Sequence, residues 1–227
     1  MNSGPQVVAK AVPFHYIEGQ LLVALTSLTD KNHRKWELPG TSVYSSHTSL
    51  GALEQMLRTE CGLTSQNVRY REQLYTFERP SEDLLQRNTI YVTYLYLSPE
   101  LLWHKGARHI GLFPVDRLPH ISHLDQDSIT YALERLKSKA LYTTLPAFLL
   151  PKIFDLHAYQ QIFETLTGMT VDKRNFRKKL QSLAILHPTT KQSSHKRGET
   201  MLYQLNDPTI SLLSRPFMPE GREAPAR

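Results

Sequence analysis

The chain opens with apolar positions in β-like runs and later turns to helical spacing. Val7-Val8-Ala9-Lys10-Ala11-Val12 and Leu21-Leu22-Val23-Ala24-Leu25 are β-prone. Glu18-Gly19 lies between them as a turn signal, so a β-hairpin is expected. Residues 30–35 read as a polar loop. Leu50, Leu53, Met56 and Leu57 recur at helix spacing over 49–59, and Gly62 stands just past the end as a stop. Residues 68–77 and 89–97 are strand-like, the latter with Ile90, Val92, Tyr94 and Tyr96 alternating against Tyr91, Thr93, Leu95 and Leu97. A charged loop, 81–88, separates them. Asp125 or Asp127 is expected to cap a helix running through Lys139, with Ile129, Leu133, Leu136 and Ala140 on one face. The order β-β-α-β-β…α predicts a mixed α/β domain over residues 1–140.

Beyond Lys139 the pattern changes. Leu145-Pro146 and Leu150-Pro151 bracket a short apolar joint. Asp155 then caps a helix carrying Leu156, Tyr159, Phe163 and Leu166, which Gly168 ends. Asp172 caps a second helix with Phe176, Leu180 and Leu183 as its buried stripe. Two short helices around a tight glycine turn form a helix-turn-helix. Residues 184–186 and 201–205 read as strands enclosing a polar loop, 188–200, which completes a winged helix over 141–207. From Pro208 onward four prolines and little apolar patterning predict a disordered tail, 208–227.

Charge singles out one of these parts. The 227 residues carry 27 Lys+Arg against 21 Asp+Glu, a net +6. Residues 1–140 are nearly neutral, whereas between 171 and 197 Lys173, Arg174, Arg177, Lys178, Lys179, Lys191, Lys196 and Arg197 face a single acid, Asp172. A patch of this kind attracts a polyanion. At about 100° per residue, Phe176, Leu180 and Leu183 fall together and Arg174, Arg177, Lys178 and Gln181 fall opposite. Lys173 and Lys179 flank them. This is the layout of a recognition helix. Arg can donate two bonds to guanine, Asn175 or Gln181 can pair with adenine, and the lysines neutralise phosphates. Lys196 and Arg197 stand at the tip of the candidate wing. Double-stranded DNA is the expected partner. A membrane role fits poorly, because the apolar face is needed for the core.

The single cysteine, Cys61, excludes an intrachain disulfide and any multi-thiolate zinc site. No apolar run approaches the ~20 residues of a membrane span, and the first residues lack the basic and apolar regions of a signal peptide. A cytoplasmic protein is expected. His120-x-x-His123-x-Asp125-x-Asp127 has metal-ligand residue types, but it precedes a helix start, where carboxylates serve as caps. Cys61 has no assigned base, and the tyrosines of 91–96 read as a half-buried strand. No metal or cofactor is implied.

Leu38-Pro39-Gly40, the helix after it and Glu60-Cys61-Gly62-Leu63 resemble the signature region of the Nudix fold. The Nudix box, G-x5-E-x7-R-E-U-x-E-E-x-G-U with U bulky and aliphatic, fits without a gap when anchored on Gly62. Its first glycine becomes Thr41 and its first glutamate His47. The Arg-Glu pair becomes Gln55-Met56, Leu57 is kept, and the Glu-Glu pair becomes Thr59-Glu60. Magnesium wants several carboxylate oxygens on one helix face. A thioether and a hydroxyl do not replace them, so the scaffold is read as lacking pyrophosphohydrolase activity. Gly40, Gln55 and Glu60 are the candidate effector-binding residues.

With Asp172-Lys173-Arg174-Asn175-Phe176-Arg177-Lys178-Lys179, the chain resembles the Nudix-related (NrtR-like) transcriptional regulators of bacteria over about residues 7–205. Tyr75-Thr76-Phe77, Ala132 to Lys139, Tyr142 and Leu149-Leu150-Pro151 share in the likeness. The resemblance implies a Nudix-like α/β/α sandwich with a mixed sheet, then a winged helix-turn-helix. It implies a homodimeric repressor of NAD or cofactor metabolism genes on a palindromic operator. Its effector would be ADP-ribose or a related nucleotide. Two alternatives stay open: an arabinose-responsive regulator of the same architecture, and a working hydrolase of nucleoside-diphosphate compounds.

Overall fold

The computed structural model describes residues 4–29, 34–44, 47–63, 68–79, 88–99, 110–195 and 198–217. The chain forms two compact units, divided between Ala132 and Leu133 with a small exchange at 18–20. The opening hairpin is present as β1 (Gln6–Ile17) and β2 (Gln20–Thr29). Its turn holds Glu18 at φ 49° and Gly19 at φ 82°, the left-handed geometry whose twist matches that of paired strands. There follow β3 (Arg34–Glu37), β4 (Gly40–Ser42), α1 (Ser49–Cys61), β5 (Tyr70–Arg79), β6 (Thr89–Leu97), β7 (Ile110–Pro114) and α2 (His123–Tyr142). The strands make one mixed sheet ordered β3-β2-β1-β6-β5, with β4 paired to β1 and β7 to β2. β1 runs parallel to β6, and β5 antiparallel to it.

Alternation along β1 distributes the helices. Ala9 and Ala11 share a core with Leu53, Met56, Leu57 and Cys61 of α1 and with Tyr94 and Tyr96 of β6. Lys10 points to the opposite face, where its Nζ lies 2.7 Å from Asp125 Oδ1 on α2. Helices on both faces give an α/β/α sandwich, the Nudix-like architecture expected. The tyrosines of β6 are core residues, and Tyr94 is hydrogen-bonded to Ser49 at 2.7 Å.

Two expectations for α2 are corrected. The helix is capped by Ser122, whose Oγ accepts from Asp125 N at 3.1 Å. Asp125 is fully buried and accepts from Leu38 N at 3.3 Å besides pairing with Lys10. Asp127 pairs with Arg79 at 2.9 Å. The metal-like spacing is thus taken up by two cations, with His120 and His123 exposed. Among the described residues no group of three or more His, Cys, Asp or Glu is placed to hold a metal ion, and no helix is long and apolar enough to cross a membrane.

The second unit continues with a buried 3-10 turn (Leu145–Leu149), α3 (Leu156–Thr167), α4 (Lys173–Leu183), β8 (Leu186–His195) and β9 (Gly198–Leu205). The polar loop expected at 188–200 is instead largely paired strand. β8 and β9 run antiparallel out to His195↔Gly198, with an irregular register between Pro188 and Gln192. A polar ribbon has no alternating apolar pattern for sequence reading to find. The disordered tail is also corrected over its first half. Thr143 bridges Leu212, Leu213 N donates to Tyr142 O at 2.8 Å, and Phe217 N donates to Leu141 O at 2.7 Å. Leu213 and Phe217 are buried. Residues 218–227 lie outside the described residues.

The buried imidazole of β1 couples this fold to pH. His15 is fully buried, with Nδ1 3.0 Å from Ser98 O, and burial pushes its pKa down to about 4 from 6.5. The folded ring stays neutral while the unfolded one takes up a proton below about 6.5. Its contribution is therefore present above that pH and lost as pH falls toward 4. Denaturant titrations should show this group removing about 3 kcal/mol across that window, at about 1.4 kcal/mol per unit. His15→Gln should flatten the dependence by that amount; an unchanged slope would refute it.

Candidate nucleic-acid interface

The helix-turn-helix is built from three local devices. Asp155 Oδ1 accepts from Ala158 N at 2.7 Å to cap α3, and Gly168 closes it at φ 69°. Asp172 Oδ1 accepts from Asn175 N at 2.8 Å to cap α4. Between them, Glu164 Oε1 accepts from Val171 N at 2.9 Å and from Gln160 Nε2 at 3.2 Å, while Gln160 Nε2 also donates to Val171 O at 3.1 Å. The last device was missed in the sequence. Its signal is an amide and a carboxylate four residues apart, one turn before the glycine.

α4 divides as its periodicity predicts. Phe176, Leu180 and Leu183 are buried. Lys173, Arg174, Asn175, Arg177, Lys178 and Gln181 are all exposed. One residue departs from the expected set. Lys179 turns toward the C-terminal segment, where its Nζ donates to Pro216 O at 2.6 Å and stands 4.3 Å from the Phe217 ring centre. Partial burial lowers its pKa. It is thus a strut of the domain and leaves the outward-facing group.

Phe217 is the residue that the sequence reading most undervalued. Its ring lies 4.6 Å from Phe163 and 5.2 Å from Phe176, centre to centre, so it closes the aromatic core beneath α4. No periodic pattern surrounds it, so an isolated aromatic before a proline-rich stretch was the only signal. At the wing's base, His187 bonds Asn206 Oδ1 at 2.7 Å. Ala184 ends α4 at φ 50°, a conformation strained for a residue with a Cβ. The wing-tip candidates Lys196 and Arg197 lie outside the described residues.

The three effector candidates are dispersed. Gly40 sits in β4 opposite Lys10, where a Cβ would come within 2.8 Å of Lys10 Cγ and 3.1 Å of Ala9 O. A close approach of strands accounts for that glycine. Gln55 is exposed and Glu60 half-buried on α1, about 140° apart around its axis. Met56 faces the core and its sulfur takes the Cys61 thiol contact at 3.9 Å. The Thr59 hydroxyl donates back to Gln55 O at 2.9 Å. A buried thioether and a committed hydroxyl do not fit a hard divalent cation.

Comparison with known proteins falls on the same two units. Residues 146–205 match the family model described as the NrtR DNA-binding winged helix domain. The chain is similar to an "ADPR responsive transcriptional repressor NtrR" of Acinetobacter baylyi, 23% identical over 88% of this chain and 82% of the relative. Among solved structures, NrtR of Shewanella oneidensis in complex with a 27mer DNA superposes with a TM-score of 0.78 at 23% identity, covering 93% of this chain and 99% of that one. A MutT/nudix family protein from Enterococcus faecalis gives 0.67 at 20% identity, with 91% and 90% covered. The fold is the Nudix-like sandwich joined to a winged helix.

Phe217→Ala should lower the stability of the winged-helix unit by about 3–5 kcal/mol, read as a lower urea midpoint with the slope unchanged. A midpoint equal to wild type would show that the ring does not close the core.

Proposed function

From a chain that joins a Nudix-fold domain to a winged helix of the NrtR type, we propose a ligand-responsive transcriptional regulator that acts as a repressor. It works as a homodimer on a palindromic operator and controls genes of NAD or cofactor metabolism. The observation that carries the reading is α4. Three prior devices fix its angle, its apolar stripe is spent on an aromatic core, and six polar or cationic side chains are left outward. Lys173 and Lys178 engage phosphates and set register, while Arg174, Arg177 and Asn175 or Gln181 reach base edges. Lys196 and Arg197 add backbone or minor-groove contacts from the wing.

The Nudix-fold unit serves as the sensor. Its α1 has neither the carboxylates nor the free hydroxyl for metal-assisted hydrolysis, so the domain binds without turnover. ADP-ribose or a related nucleotide is the effector, as the similar Acinetobacter repressor's description suggests. An effector that prefers one dimer geometry shifts the population and with it operator affinity.

Two measurements decide this. Arg177→Ala should weaken binding to a duplex enriched from a random pool on the wild-type protein by about tenfold or more, within the ~1–3 kcal/mol of a base contact. Circular dichroism should be unchanged, and equal affinity in an anisotropy titration would remove Arg177 from the interface. Separately, ADP-ribose with magnesium should change operator affinity and leave no AMP. Steady release of AMP at ordinary enzymatic rates, ~1 per second or faster, would make the protein a hydrolase.

A further inference from the structure

A cavity of about 390 Å³ opens beside the C-terminal half of α1, lined by Glu54, Leu57, Arg58, Leu63, Val68, Arg69, Tyr70, Arg71 and Tyr96. It is not the Nudix effector face. Glu54 and Arg58 project from α1 about 170° from the sector of Met56, Thr59 and Glu60. Its volume lies in the range of small-molecule sites, and its make-up suits one, with apolar walls and a few polar groups.

Charge defines what such a site takes. Among the described residues that line it are three guanidiniums, Arg58, Arg69 and Arg71, against one carboxylate. Glu54 is paired with Arg71 at the rim, which leaves the wall positive overall. Leu57, Leu63 and Val68 supply an apolar surface. Tyr96 is 2% exposed, and its hydroxyl is buried without a hydrogen-bond partner among the described residues. Burial pushes that phenol up to about 12, so it stays a protonated donor at neutral pH. Guanidinium forks match the oxygens of a phosphate. The net positive charge of two matches a phosphate monoester, which carries about −1.5 to −2 at pH 7.

We propose that this cavity is a second ligand site, selective for a small phosphate monoester carrying a flat, apolar body. The phosphate meets Arg58 and Arg69, and the body lies on Leu57, Leu63 and Tyr96.

Phenyl phosphate is the probe, with phenol as the control lacking the anion. Isothermal titration on the full chain should show phenyl phosphate binding and no heat from phenol. Arg58 is exposed on α1, so Arg58→Gln and Arg58→Glu should keep the wild-type melting transition. They should weaken the probe about tenfold or more, the charge reversal the more strongly. Saturating ADP-ribose, whose own effect is read on operator DNA, should leave phenyl phosphate affinity unchanged. No binding by wild type, equal binding by folded Arg58→Glu, equal binding of phenol, or displacement by ADP-ribose would each overturn the proposal. None of these results depends on whether the chain binds an operator.

Discussion

The Nudix-fold unit depends on one buried ion pair. Lys10 sits in the middle of β1, Asp125 in the first turn of α2, and their contact at 2.7 Å is shielded from water. The same carboxylate accepts from Leu38 N at 3.3 Å, so one group ties a central strand, the entry to β4 and a helix start. Removing either partner of such a pair leaves an uncompensated charge, a cost of about 3–5 kcal/mol. Much of the nearby sequence is explained by serving it. Gly40 is bare because the Lys10 stem fills the space beside it, and Ser122 caps α2 because Asp125 is needed elsewhere.

Local signals were legible and non-local ones were not. α1, α3 and α4 end where Gly62, Gly168 and Asp172 announced, since caps and left-handed stops act through the nearest few backbone groups. Asp125 was misread because a helix-start carboxylate and a buried counter-ion look alike until the strand 115 residues away is brought beside it. The short strands β3, β4 and β7 carry too few alternating positions to declare themselves. The long wing failed for a different reason: a ribbon paired through its backbone, with no apolar face, leaves no period to detect.

The candidate interface was more readable than the candidate sensor. A recognition helix must do two things at once, burying a stripe and presenting cations, and both demands are written into eleven residues. Effector residues on the Nudix unit carry no such double mark. Gly40 has a packing explanation, and Gln55 and Glu60 diverge around α1. The spacing of the box survives there because it is also the spacing of a helix core. Leu53, Met56, Leu57 and Cys61 must face the sheet whether or not catalysis is performed.

The clasp of Phe217 and Lys179 over the helix-turn-helix has a consequence for modularity. The recognisable domain stops at residue 205, yet its hydrophobic core is closed by a ring twelve positions further on. An excised fragment drawn at the limits of the recognisable pattern would carry every DNA-facing side chain of α4 and still lack a wall of its own interior. Grafting this reader onto another sensor therefore requires the unpatterned strand that follows it. The boundary of the heritable motif and the boundary of the folding unit are different places on this chain.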